Sequence, residues 1–319
     1  MPRPIAIARI RAASALIDPA FLDSPMAHDS GLDAVLGCRL SAKVEFQNPI
    51  GSFKGRGAEF FVATELAPGE AVVCASAGNF GQGLARAATR RGHACTVFAA
   101  ETANPLKIEA MRGFGADVRL AGQDFDAAKA AAKRFAADAG LRFVEDGLEP
   151  AIAEGAGTMG LEIAAAGRFD TMIVPLGNGA LLAGVGAALR AASPATRIVA
   201  VVAEQAPSMM LSLEAGRMLE TEKADTIADG IAIRVPIPEA LETLRGLYDD
   251  IMPVSEEEIF RAMLLLRRHL GHSVEPSGAV GVAAILAQPH RFAGRQVATL
   301  LCGANLSPAM AAQLAAVPV

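Results

Sequence analysis

The sequence predicts an α/β protein made of two parallel-sheet units packed together, with a ligand held between them. Two observations carry this expectation. From about residue 71 to residue 203, short β-rich runs alternate with longer helical ones, an order that implies parallel sheets with helices on both faces. Three of the strand runs end in small or glycine-rich loops, at 76–83, 177–180 and 302–305. Open parallel sheets take their ligands beyond the carboxyl ends of the strands.

The elements follow in order. Residues 71–76 (AVVCAS) read as a buried strand, 78–83 as a glycine loop and 84–91 as a helix. Residues 93–98 are the next strand, and 105–114 form a helix opened by Pro105, whose fixed φ suits a first helical position. A strand at 116–120, an alanine-rich helix at 125–140 and a strand at 141–145 complete the first unit. The second unit has a helix at 152–166, a strand at 171–175, a helix to residue 191, a strand at 197–203 and a helix at 207–218. An amphipathic helix at 255–268 starts with a capping box, Ser255 with Glu258 three residues on. The apolar run 297–302 is a last strand. No short-period repeat, low-complexity tail or linker interrupts the chain.

Composition sets the frame. The 319 residues suffice for two domains of ordinary size or one large α/β unit, and 52% are hydrophobic, so the core is large. The mean hydropathy of +0.34 reflects heavy alanine use and suggests a buried contact between subunits. No run of about 18 apolar residues is present, so no membrane span is expected. The net charge of −5 and the lack of a basic tract argue against nucleic acid as a partner. Arginines interrupt the N-terminal apolar stretch, which speaks against secretion. Cys38, Cys74, Cys95 and Cys302 show no CxxC spacing and read as reduced thiols of a cytoplasmic protein. His269 and His272 lack a third ligand and read as a helix-end charge cluster with Arg267 and Arg268.

Lys54 is the chemically distinctive residue. It lies in NPIGSFKGRGA (48–58), where a helix begins. The glycines let a ligand approach the backbone, and the positive end of the helix dipole favours a neutral, nucleophilic amine. A surface lysine in a glycine-rich turn is the alternative. The loops SAGNFGQG (76–83) and GNGA (177–180) can each direct backbone N–H groups at a phosphate or carboxylate, although tight βα turns also use glycine. Gly177, Gly179 and Gly184, with Glu204 ending the next strand, suggest a dinucleotide site, but Leu182 stands at the third glycine position. That reading also leaves Lys54 and the 76–83 loop without a role.

The strings SFKGRGA, SAGNFGQG, GTMGLEI, PLGNGALLAG, TIADGIAI, EPSGAVG and LLCGAN occur in this order along the chain. With them the chain resembles the fold-type II pyridoxal-phosphate enzymes, of tryptophan synthase β-like fold, in the branch of threonine/serine dehydratases and serine racemase. The resemblance runs from about residue 40 to 306. It implies pyridoxal 5′-phosphate bound to Lys54 as a Schiff base, Phe53 beside it, and Asn79 on the pyridine 3′-oxygen. It further implies that Gly177, Asn178, Gly179 and Ala180 cradle the phosphate, that Cys302 is a neutral partner of the pyridine nitrogen and that Glu275 lies at the cofactor's edge. Ser76, Ala77, Gly78 and Asn79 would take the substrate carboxylate through backbone N–H groups, with Phe80 beside them. Residues 51–147 would form a small domain, and 1–50 with 148–319 a large cofactor-binding one.

The implied activity is that of a dehydratase, or ammonia-lyase. Lys54, once displaced by the substrate amine, removes the Cα proton. A neutral Cys302 disfavours a long-lived carbanion. The β-hydroxyl of a threonine- or serine-like substrate is lost, and a 2-keto acid and ammonia result. Ala77 stands where racemases of this branch carry a second acid/base serine, so elimination is expected over inversion. Phe80 replaces the usual histidine and bears on side-chain preference. Where relatives have a four-glycine run, Gly179-Ala180 shifts any unusual backbone conformation onto Gly177 or Asn178. Glu204 matches one carboxylate of a cation site whose partner position is Met210, so no metal is expected. With few residues after LLCGAN, no C-terminal regulatory domain is expected. A homodimer without a nucleic-acid or membrane partner is expected. The rivals are β-replacement or another β-elimination of the cysteine-synthase kind, racemisation, and non-catalytic cofactor binding.

Overall fold

The computed structural model describes residues 4–317. Its strands are β1 (Met26–Ala27), β2 (Arg39–Val44), β3 (Val72–Ala75), β4 (Cys95–Ala99), β5 (Asp117–Leu120), β6 (Arg142–Val144), β7 (Thr171–Pro175), β8 (Arg197–Ala203), β9 (Asp250–Val254) and β10 (Gln296–Leu301). Its α-helices are α1 (Ile7–Ala13), α2 (Ser30–Leu36), α3 (Lys54–Glu65), α4 (Asn79–Arg90), α5 (Pro105–Gly113), α6 (Phe125–Ala139), α7 (Pro150–Ala166), α8 (Ala180–Ala192), α9 (Ser208–Ala215), α10 (Pro238–Leu244), α11 (Glu256–Leu270), α12 (Pro276–Ala287) and α13 (Pro308–Ala315).

Two sheets organise these elements. One has the order β5-β4-β3-β6 and is wholly parallel. The other runs β1-β2-β10-β7-β8-β9 and is parallel except for the short edge strand β1. The central strands β7 and β8 are almost entirely apolar and buried, as strands covered on both faces must be. Pro253 sits in β9, an edge strand, where the missing N–H costs no ladder bond. No helix among the described residues is long and apolar enough to cross a membrane.

Local chemistry fixes the helix ends. Asp124 and Asn104 cap α6 and α5 through side-chain oxygens, and Pro105 opens α5. The capping box of α11 is complete, and Gly271 closes that helix in the left-handed region. His269 then pairs with Asp29 at 2.9 Å, while the His272 ring meets Phe46 edge-on, so the two histidines serve separate contacts.

One expectation fails locally. The stretch 78–83 is not a loop: α4 starts at Asn79. Its glycines serve close approach rather than flexibility. A Cβ on Gly81 would lie 2.5 Å from Met111 Sδ, and one on Gly83 would lie 3.2 Å from the Lys54 carbonyl oxygen. The same holds for Gly184, where a Cβ would fall 1.9 Å from the Ala153 carbonyl oxygen, so this glycine packs α8 against α7.

Candidate active site

Four strands deliver the site residues from their carboxyl ends: β3 leads to Ser76, β6 to Asp146, β7 to Gly177 and β10 to Cys302. Lys54 is the first residue of α3. The segment before it is held against the β10 exit, with Phe53 N donating to Cys302 O at 3.0 Å, Ala304 N to Gly51 O at 3.0 Å and a Ser52–Gly303 bridge. Lys54 Nζ lies 4.9 Å from the centre of the Phe53 ring and forms an ion pair with Asp146. The helix dipole therefore does not act on this amine alone; the buried Asp146 carboxylate faces it as well.

Asn79 sits at the first position of α4, and both polar ends of its amide are engaged. Nδ2 donates to Glu275 Oε1 and Oε2 at 2.9 and 3.1 Å, and Oδ1 accepts from Asn305 Nδ2 at 2.8 Å. Glu275 is buried, and this desolvation pushes its carboxyl up to about 7 against the opposing Asn79 hydrogen bonds. Gly303 makes room for it: a Cβ there would lie 2.2 Å from Glu275 Oε1. The Cys302 thiol is likewise buried, and desolvation, helped by the Glu275 charge, raises it far enough to stay protonated.

Glu275 makes stability depend on pH in a definite direction. Its folded-state value is raised above the ordinary 4.5, so the native state holds the proton longer than the unfolded chain. The favourable contribution is complete below about pH 4.5 and is lost as pH rises through about 7. Glu275→Gln removes this titration. The unfolding free energy of wild type minus that of the variant should fall by about 2–3 kcal/mol between pH 5 and pH 8, measured by denaturant titration at a series of pH values.

The 177–180 loop enters α8, whose first turn carries no side-chain cap, so its backbone N–H groups remain available to an anion. Gly179 takes the left-handed conformation, φ +97°, and neither Gly177 nor Asn178 has a positive φ. The expected shift of strain onto those two residues is thus corrected: the glycine immediately before Ala180 absorbs the turn. A Cβ on Gly177 would lie 3.0 Å from Gly230 O, which keeps this strand exit tight.

The 76–80 segment is partly committed to itself. Ser76 Oγ accepts from Gly78 N at 3.2 Å and Gly81 N at 2.9 Å. Phe80 is buried in the main apolar cluster rather than lining open space. Lys107 Nζ approaches this loop, 3.9 Å from the position a Cβ on Gly78 would take, and pairs with Asp229 Oδ2 at 2.9 Å. The structure therefore gathers the 53–54, 76–79, 275 and 302 residues around one strand-end crevice, with 177–180 joined to it through Gly147 beside Asp146, while Phe80 turns into the core. A Cβ on Gly147 would lie 3.1 Å from Asn178 O. Glu204 lies apart and exposed. No group of three or more potential metal-ligating side chains occurs among the described residues.

Asp146, Lys107 and Asp229 escaped the sequence reading. Asp146 had one visible signal, a carboxylate two residues past a strand end.

The donor set fits pyridoxal phosphate. An amine, an uncapped helix N-terminus after a glycine turn and a buried neutral thiol offer partners for its aldehyde, phosphate and pyridine nitrogen. The pattern of the family described as "Pyridoxal-phosphate dependent enzyme" matches residues 17–303. The L-threonine ammonia-lyase of Thermotoga maritima is 37% identical over 284 residues, covering 88% of this chain and 71% of that one. Maize serine racemase superposes with a TM-score of 0.90 at 28% identity, covering 98% of this chain and 97% of that one. The processed form of threonine deaminase isoform 2 from Solanum lycopersicum superposes with a TM-score of 0.88 at 27% identity, covering 98% and 94%. Site chemistry, topology and sequence thus converge, and the chain belongs to the pyridoxal-phosphate-dependent enzymes.

Proposed function

We propose that this protein is a pyridoxal-phosphate-dependent ammonia-lyase that removes water and then ammonia from a β-hydroxy amino acid of the threonine or serine type. The observation that carries this reading is the placement of Lys54 at the start of α3 beside a buried, protonated Cys302, in a chain 37% identical to an L-threonine ammonia-lyase. Bound in this crevice, the cofactor supplies an electron sink for charge developing at Cα.

The chain's own residues divide the remaining work. Lys54 carries the cofactor through its amine and, when released, takes the Cα proton. Phe53 would pack beside the cofactor ring and Asn79 would offer its amide to the 3′-oxygen, with Glu275 and Asn305 holding that amide in place. Gly177, Asn178, Gly179 and Ala180 hold the phosphate with the α8 N-terminus. Cys302, neutral because it is buried, would offer the pyridine nitrogen a partner without a charge. The N–H groups of Ala77 and Asn79 hold the substrate carboxylate, since that of Ser76 already donates to Phe98 O and that of Gly78 to Ser76 Oγ. Phe80 limits the side-chain pocket from within the core. Ala77 supplies no proton on the opposite face, which favours elimination over racemisation.

We also read residues 51–147 as the small domain and 1–50 with 148–319 as the large one, supported by strands 72–144 forming the four-stranded sheet. A cytoplasmic homodimer is consistent with four buried free thiols and the mean hydropathy.

The test is a paired assay of ammonia and 2-keto acid from L-threonine and L-serine, with 3-chloroalanine as an activated control. Equal amounts of the two products from a hydroxy amino acid are expected. Turnover of the control alone would move the protein to the β-replacement class.

A further inference from the structure

We propose that Asp146 is a positioning residue for the reaction: it receives the charge of Lys54 each time that side chain is released as an ammonium. This rests on the reading of Lys54 given above.

Asp146 follows β6, and Gly147 next to it abuts Asn178. Its side chain is 8% exposed. Oδ2 contacts Lys54 Nζ, and Oδ1 is buried without any hydrogen bond. A carboxylate with one bare oxygen in so enclosed a place is costly unless a cation faces it. Lys54 provides that cation only while its amine is free. Most buried carboxylates of this protein are held by several donors, as Glu45 is by Arg56 and Ser24. Asp146 depends on a partner whose charge changes during turnover.

The proton step balances. The Cα–H bond of the substrate breaks, its electron pair stays on the substrate, and the proton forms an N–H bond on Lys54 Nζ. The lysine passes from neutral amine to ammonium, and the Asp146 carboxylate offsets the new charge at contact distance. The same contact fixes where the lysine rests before its proton passes to the departing β-hydroxyl, whose C–O bond breaks as it leaves as water.

Two measurements test this together. In the holoenzyme, Asp146→Asn should lower kcat by about 10- to 100-fold with KM changed by less than about threefold, and Asp146→Glu should recover part of kcat. In the cofactor-free chain, Lys54→Ala should lower the melting temperature by leaving Asp146 unpaired, and adding Asp146→Asn should restore at least half of that loss. Unchanged kcat in Asp146→Asn, or melting losses that simply add, would overturn the proposal. An Asp146→Asn chain that fails to fold must fold once Lys54 is alanine; failure in both backgrounds assigns Asp146 to the fold alone. Should the cofactor prove to be attached elsewhere than Lys54, the underlying reading fails instead, whatever the Asp146 variants do.

Discussion

Lys54→Ala should abolish ammonia release, with a loss of at least about 10³-fold in kcat/KM, because one side chain serves as both covalent anchor and base. The visible absorbance of the bound cofactor should vanish with it. The structure limits the escape routes. Lys107, the other lysine near the crevice, is held by Asp229 at 2.9 Å on the side of the 76–79 loop. The remaining neighbours of Lys54 Nζ, the Phe53 ring and Asp146, cannot form an imine. Steady-state assays and a spectrum of the purified variant check both parts. Retained absorbance with lost activity would separate the anchoring role from the proton transfer.

Arg56→Ala should be the most damaging substitution for stability, at about 3–5 kcal/mol and roughly 10 °C in Tm. Arg56 is fully buried near the start of the helix that Lys54 begins. Its guanidinium donates to Glu45 Oε1 and Oε2, both at 2.9 Å, to Thr158 Oγ1 at 3.0 Å, to Ser24 Oγ at 3.2 Å and to both oxygens of Glu162. Lys43 Nζ adds a contact to Glu162 at 2.7 Å. Alanine would leave the buried Glu45 without its counter-charge and the partly buried Glu162 with Lys43 alone. Burial alone raises Glu162, but Arg56 and Lys43 outweigh it and hold the group below its ordinary range. Its stabilising contribution is therefore present above the unfolded value of 4.5 and lost as pH falls through the lower folded value. The gap between wild type and Arg56→Ala should be widest near neutrality and shrink below about pH 4.5, as urea titrations at several pH values can show. Because α3 carries Lys54, activity should fall along with stability.

The fold was legible where the hydrophobic pattern and the caps agree. Strands 171–175 and 197–203 match β7 and β8 at both ends, since buried β-branched runs favour the extended conformation. The 78–83 segment was misread because glycine signals both turn and close contact, and only tertiary packing distinguishes them: Met111 and the Lys54 carbonyl require glycine inside α4. Gly179 shows the converse, a glycine whose backbone conformation cannot be told from its neighbours' in the string GNGA. Within the site, Lys54, Asn79, Glu275 and Cys302 were visible as residues in motifs. Their wiring was not. The Asn305 amide that holds Asn79 comes from a loop 226 positions away in sequence, and Asp146 lies 92 positions from Lys54. Neither pairing follows from local spacing.

The central claim, that Lys54 holds pyridoxal phosphate, is tested most directly by borohydride reduction of the purified enzyme followed by peptide mass spectrometry. The account predicts a single peptide carrying the reduced cofactor, with the label on Lys54. Label on Lys107 or another lysine, or none in protein reconstituted with the cofactor, would contradict it.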